Sequence, residues 1–265
     1  MNLLRHYLLA VQFFTRIPVT GRLAHWVGFS PALLRASAAH FPGVGLLVGA
    51  LVACFTLALL HALPASPFAA LVAAALSTVL SVLITGGFHE DGLADVADGL
   101  GGSSERARAL EIMKDSRVGA FGAMALVLAL LSKVALLALL GSVDGGLMAV
   151  ALFAAHVCSR TWPLLLIRCM PHVGDAAGSK SKPLADQISN ASLLVAFAWF
   201  AAAAALVLWL TEGVAWWAPV LASLLALLWM GRLLWRRLQG FTGDGLGATQ
   251  QICELAFYLG LAVTV

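Results

Sequence analysis

Seven apolar runs, at 40–62, 68–87, 118–140, 147–167, 191–211, 214–231 and 248–265, constrain this chain more than any other feature. About 20 apolar residues in a helix cross the hydrocarbon core of a bilayer. The composition agrees, with 61 % hydrophobic and only 11 % charged residues, far from the globular norm. The segment from Met1 to Pro18 is apolar but broken by Arg5, His6, Gln12 and Arg16. It has no clean small-residue cleavage site, so it reads as an interfacial helix or one partly inserted against the bundle, not as a signal peptide. The expected fold class is all-α: a polytopic membrane helix bundle of about seven transmembrane helices plus an N-terminal interfacial helix. Residues 1–265 form one domain, whose expected surroundings are a lipid bilayer and not a nucleic acid.

Basic residues orient the bundle. Arg5, Arg16, Arg22 and Arg35 precede the first run, and Arg106, Arg108, Lys114 and Arg117 follow the second. Arg168, Lys180 and Lys182 follow the fourth, and Arg232, Arg236 and Arg237 the sixth. All fall on one side of the expected topology, while the connections near 63–67, 141–146 and 212–213 carry none. The positive-inside rule places that side in the cytoplasm, so the N-terminus is inside and the C-terminus outside. The two remaining basic residues lie within runs. Lys133 is expected to snorkel outward. Arg160 points either to a polar cavity or partner or to snorkelling, and His156 reads as a packing residue. The cysteines, Cys54, Cys158, Cys169 and Cys253, have no metal-ligand spacing and imply no disulfide framework.

Against this background one polar stretch stands out. Gly87-Phe88-His89-Glu90-Asp91-Gly92-Leu93-Ala94-Asp95-Val96-Ala97-Asp98-Gly99 holds four of the chain's thirteen acidic residues. In a helix Asp91, Asp95 and Asp98 follow i, i+4, i+7 and share one face over two turns. Three carboxylates on one face repel one another unless a cation sits among them. Hard oxygen donors favour Mg²⁺, which keeps water and substrate phosphate in its shell. The spacing therefore points to metal-assisted phosphoryl transfer at the cytoplasmic side. A solvated acidic helix start is the simpler alternative.

Three further segments share that side. Ser103 or Ser104 can cap a short helix from Glu105 to about Lys114, leading into Lys114-Asp115-Ser116-Arg117-Val118-Gly119. There Asp115 can complete a metal site, and Lys114 and Arg117 can hold phosphate oxygens. The glycine-rich Gly240-Phe241-Thr242-Gly243-Asp244-Gly245-Leu246-Gly247 opens the last run. Gly243 permits close phosphate approach, and Asp244 suits a metal, a ribose hydroxyl or a plain helix cap. The stretch from Gly174-Asp175 through Lys180-Ser181-Lys182-Pro183 reads as a lid or, equally, a solvated tether.

Taken together these motifs resemble the cobalamin synthase family, the adenosylcobinamide-GDP ribazoletransferases. The resemblance rests on Phe13-Phe14-Thr15-Arg16-Ile17-Pro18, Phe41-Pro42-Gly43-Val44-Gly45 and the stretch from Gly86 to Gly99. It continues through Leu110-Glu111-Ile112-Met113-Lys114-Asp115-Ser116-Arg117-Val118-Gly119 and Thr242-Gly243-Asp244-Gly245-Leu246-Gly247-Ala248. It implies transfer of cobinamide phosphate from adenosylcobinamide-GDP to α-ribazole or its 5′-phosphate, with release of GMP, at a bacterial inner membrane. From residue chemistry Asp91, Asp95, Asp98 and Asp115 are the expected metal ligands. Together with His89 they are the expected catalytic residues, His89 or a carboxylate taking the hydroxyl proton. Lys114, Arg117, Arg160, Gly243 and Asp244 are the expected substrate contacts, and association into a homo-oligomer is compatible with this.

Two other readings fit less well. Asp95-Val96-Ala97-Asp98-Gly99 begins the Asp-x-x-Asp-Gly-x-x-Ala-Arg pattern of CDP-alcohol phosphotransferases, but Gly102 and Ser103 stand where Ala and Arg are required. A cation-coupled transporter calls for carboxylates near the bilayer midplane, whereas these follow the end of an apolar run.

Overall fold

The computed structural model describes residues 2–174 and 188–265. The polar stretch holding Asp175, Lys180 and Lys182 therefore lies outside the described residues. Thirteen α-helices are seen among the described residues. They are α1 (Asn2–Phe14), α2 (Gly21–Val27), α3 (Pro31–Ser37), α4 (Phe41–Ala62), α5 (Ala69–Thr85), α6 (Phe88–Gly102) and α7 (Arg106–Ile112). There follow α8 (Ala120–Val143), α9 (Gly145–Thr161), α10 (Pro163–Cys169), α11 (Asn190–Leu210), α12 (Trp217–Leu238) and α13 (Gly243–Ala262). The only strand-like pairing among them is an isolated parallel bridge between His172 and Phe241.

The all-α bundle matches the expectation, but the number of spans differs. Five helical segments are long and apolar enough to cross a membrane: Pro31–Ala62, Ala120–Val143, Gly145–Cys169, Asn190–Leu210 and Trp217–Leu238. A sixth results if α5 and α6, bent by 90°, count as one span. The seventh expected span corresponds to α13, which is not among them. It carries Gln250, Gln251 and Glu254 and buries all three. A helix this polar is stable in a membrane protein only when enclosed by other helices.

Burial sorts the helices into a centre and a rim. The α9–α10 segment is 83 % buried over its most apolar stretch, against 17 % for α8 and for α11. Leu128, Leu131, Leu194, Leu208 and Trp209 point outward from those two rim helices. In water such faces would aggregate; in lipid they need no partner. The α4 helix runs along α9, where Gly49 brings its backbone so close that a Cβ would stand 2.9 Å from the carbonyl oxygen of Phe153. Such small-residue contacts are how membrane helices gain packing without a hydrophobic drive. The α1 helix buries Leu9, Ala10, Val11 and Phe14 against α3 and α4, the partly inserted placement.

The turn between α5 and α6 sets up the rest. Gly86 and Gly87 both have φ of +70°, a region costly for residues with a Cβ. The Gly87 amide donates to the Val82 carbonyl at 3.0 Å, closing α5. The chain then leaves at a right angle, and α6 lies across the end of the bundle, packed on α13 and α8.

Candidate active site

The acidic stretch is helical as its spacing predicts, and its carboxylates occupy three different environments. Asp91 is exposed, Asp95 half-buried and Asp98 buried. A fourth joins them. The first turn of α13 approaches α6 at Gly92, where a Cβ would stand 2.8 Å from the Asp244 carbonyl oxygen and 3.1 Å from its Cα. Thr242, not Asp244, caps α13, its Oγ1 accepting from the Gly245 amide at 3.0 Å. Asp244 is thereby released from the capping role and faces the acidic helix.

The electrostatics record this crowding. Burial, and then the carboxylates of Asp244, Asp91 and Asp98, push Asp95 up to about 7. Burial, and then Asp91, push Asp244 up to about 6. Such a group gives up its proton readily to an incoming cation near neutral pH.

Asp98 is engaged differently from its two neighbours. Its Oδ2 accepts from the Gly119 amide at 2.7 Å and its Oδ1 from the Gly122 amide at 2.8 Å. It thus caps α8 from another helix, satisfying two amides of that helix start. The contact fixes the Lys114–Gly119 loop against α6. Asp98, Arg108, Glu111, Lys114, Asp115 and Arg117 line one open cleft of about 760 Å³.

Within the loop, Asp115 turns to Arg117. The guanidinium donates Nε to Oδ1 at 2.9 Å and Nη2 to Oδ2 at 2.5 Å, and these bonds hold Asp115 down at about 2. The pair is exposed, and Asp115 is not among the charges acting on Asp95. The structure therefore brings Asp91, Asp95, Asp98 and Asp244 together and leaves Asp115 with the basic loop. Arg237 Nη2 donates to the carbonyls of Leu100 at 3.1 Å and Ser103 at 2.7 Å, tying the end of α6 to α12.

Other expected site residues lie deeper. His89 is 1 % exposed, its ring stacked on Phe41 with centroids 5.7 Å apart, and burial and Arg160 hold its pKa well below 6.5. Arg160 does not snorkel: it is 1 % exposed, and its Nη1 donates to His156 Nδ1 at 2.8 Å and to the His156 carbonyl at 3.0 Å. Lys133 does not snorkel either, since its ammonium lies 2.6 Å from Glu254 Oε1. In an apolar bundle an enclosed carboxylate attracts the ammonium more strongly than a distant interface does. Gly243 is the first residue of α13, directly before Asp244.

No three His, Cys, Asp or Glu side chains among the described residues converge as a closed metal cage. Mg²⁺ does not require one, being held by one or two carboxylates together with waters and substrate phosphates. Asp91, Asp95 and Asp244, hard oxygen donors that crowd one another, fit such an ion. Sequence reasoning missed the polar residues behind them, Glu90, Gln250, Gln251 and Glu254. The i, i+4, i+8 spacing of Gln250, Glu254 and Tyr258 was the available signal.

Comparison with known proteins finds relatives over nearly the whole chain. The profile of the family CobS, cobalamin-5-phosphate synthase, matches residues 6–262. A protein of Albidiferax ferrireducens named adenosylcobinamide-GDP ribazoletransferase is 68 % identical, over 98 % of both chains. Proteins with that name from Polaromonas naphthalenivorans and Vibrio cholerae are 61 % and 43 % identical, over 100 % and 96 % of this chain and 100 % and 91 % of theirs. No solved structure matches the chain. An acidic helix, a basic loop and a glycine-rich helix start, brought together in a multi-pass membrane bundle and matched over nearly the whole length, place this chain in the cobalamin-5-phosphate synthase family.

Proposed function

We propose that this protein transfers the cobinamide phosphate of adenosylcobinamide-GDP to α-ribazole or α-ribazole 5′-phosphate. The products are adenosylcobalamin or its 5′-phosphate, and GMP. The ribose hydroxyl oxygen of the acceptor attacks the phosphorus attached to cobinamide. The new P–O bond forms in line as the P–O bond to GMP breaks, and the hydroxyl proton passes to a base. The observation that carries this reading is a face of four carboxylates that share one electrostatic environment, joined through Asp98 to a cleft lined by Lys114 and Arg117.

Each part has a task. Lys114 and Arg117 hold phosphate oxygens in the cleft, Arg117 exchanging Asp115 for substrate. Asp91, Asp95 and Asp244 offer oxygen donors to Mg²⁺, which when bound neutralises pyrophosphate charge and stabilises the leaving GMP. Asp98 holds the loop through Gly119 and Gly122. His89 is enclosed by aromatic rings and poorly placed to receive the hydroxyl proton, which passes instead to a carboxylate oxygen of the acidic face that the ion leaves free. The site faces the cytoplasm of a bacterial inner membrane, where the positive-inside rule puts the loops that flank it.

The test is direct. Purified protein in liposomes, given adenosylcobinamide-GDP, α-ribazole 5′-phosphate and Mg²⁺, forms GMP and cobamide in equal amounts, and EDTA stops both. Substrate flux across the liposome without GMP would replace this reading with transport.

A further inference from the structure

Beneath the acidic face, α6, α8, α9 and α13 enclose a polar chain that the chemistry above does not use. At its inner end Glu254 Oε1 pairs with Lys133 at 2.6 Å and accepts from the Tyr258 hydroxyl at 2.9 Å. Glu254 Oε2 accepts from Gln250 Nε2 at 2.7 Å, and the same amide donates to Ser159 Oγ at 2.9 Å. Gln251 Nε2 donates to Gln250 Oε1 at 3.0 Å and to Glu90 Oε1 at 3.1 Å. Every member is buried, and the chain ends one residue before Asp91.

The donors and acceptors give this chain a direction. A glutamine amide has two N–H donors, and here both donors of Gln250 and both of Gln251 are spent. Gln250 can offer its oxygen to Gln251 only while its NH₂ faces an acceptor at Glu254. An ionised carboxylate only accepts, so it holds Gln250, then Gln251, then Glu90, in one orientation. Lys133 keeps that carboxylate charged within an apolar bundle. In E254Q the new amide keeps its oxygen toward the Lys133 ammonium and turns its NH₂ on the NH₂ of Gln250. Gln250 must then reverse, and its NH₂ meets that of Gln251. The mismatch ends at Glu90.

We propose that Glu254 is a positioning residue for the transfer reaction. Its carboxylate fixes the direction of the Gln250–Gln251–Glu90 chain and so the placement of Asp91 on the acidic face. This rests on that face being the metal-holding part of the proposed active site.

Mn²⁺ binding to the full-length protein in detergent, followed by electron paramagnetic resonance without substrates, tests it beside steady-state kinetics. E254Q reverses the chain. Q251M cuts its last link and leaves the Lys133–Glu254 pair intact. Y258F removes a bond to Glu254 without reversing anything. In E254Q and Q251M, Mn²⁺ affinity and kcat each fall about 10–100-fold, as for residues that orient metal ligands, with KM for adenosylcobinamide-GDP little changed. Y258F stays near wild type in all three. Unchanged Mn²⁺ affinity in E254Q and Q251M overturns the inference, as does a Y258F as impaired as they are. If E254Q does not accumulate, Q251M decides by the same criteria. A wild type that turns over without binding Mn²⁺ removes the metal-site reading and this inference with it.

Discussion

Asp91 and Asp95 share a helix face but differ in exposure, and that difference gives each its own prediction. Asp91 reaches solvent and substrate, so D91N is expected to insert normally and lose about 10²–10³-fold in kcat, the scale of losing one electrostatic partner of the transition state. Thermal unfolding and GMP release measured on one preparation check both halves. Asp95 titrates at about 7 instead of its ordinary 3.8. The fold thus favours its neutral form, and the resulting stability is full below about pH 4 and lost as pH rises through about 7. Metal-free protein should therefore unfold at lower temperature at pH 8 than at pH 5, with the slope reduced in D95N. Mn²⁺ should bind more tightly as pH rises through the same interval, since ion and proton compete. The pattern of Asp91 and Asp95 is legible in the sequence because helical periodicity is local. The exchange of roles between Asp98 and Asp244 is not. Asp98 reaches across to cap a helix beginning more than twenty residues later, and Thr242 takes the local cap that Asp244 was equally suited to fill.

At the scale of elements, the site depends on how closely α6 lies on α13 and α8. G92A puts a methyl group against the Asp244 backbone, which has no flexible end to move aside. Separating α6 from the glycine-rich start is expected to abolish turnover and weaken Mn²⁺ binding while the bundle still accumulates. D98N replaces one acceptor of the α8 cap by a donor. It should lower stability by about 1–2 kcal/mol, as lost caps do, and raise KM for the nucleotide substrate through the loosened Lys114–Gly119 loop. K133M leaves Glu254 charged and enclosed, a loss of about 3–5 kcal/mol in urea or thermal unfolding. The apolar runs placed most helices to within a few residues, because span length and hydropathy are properties of the segment itself. The last helix reads as a span for the same reason. Beyond the bonds made within the helix itself, its Gln250, Gln251 and Glu254 take their partners from α6, α8 and α9, and pairing across 121 positions, from Lys133 to Glu254, leaves no mark on local composition.

The whole molecule is a lipid-facing apolar rim around a core that encloses a buried polar network, with a separate cleft lined by Asp98, Lys114, Asp115 and Arg117. Its orientation is open to a direct check. Ser104 and Glu212 are both exposed, and lie in the connections assigned to opposite sides. With Cys54 and Cys169 replaced by Ser, a membrane-impermeant thiol reagent should label S104C only in inside-out vesicles and E212C only in right-side-out ones. The reverse pattern would move the acidic face to the outer surface and away from cytoplasmic nucleotides. The most direct measurement follows GMP and cobamide together, from adenosylcobinamide-GDP and α-ribazole 5′-phosphate, with wild type and D91N side by side in liposomes containing Mg²⁺. Wild type should release one GMP per cobamide formed, and well-folded D91N should release almost none. Equal turnover by the two proteins would contradict the assignment of the acidic helix as the seat of the reaction.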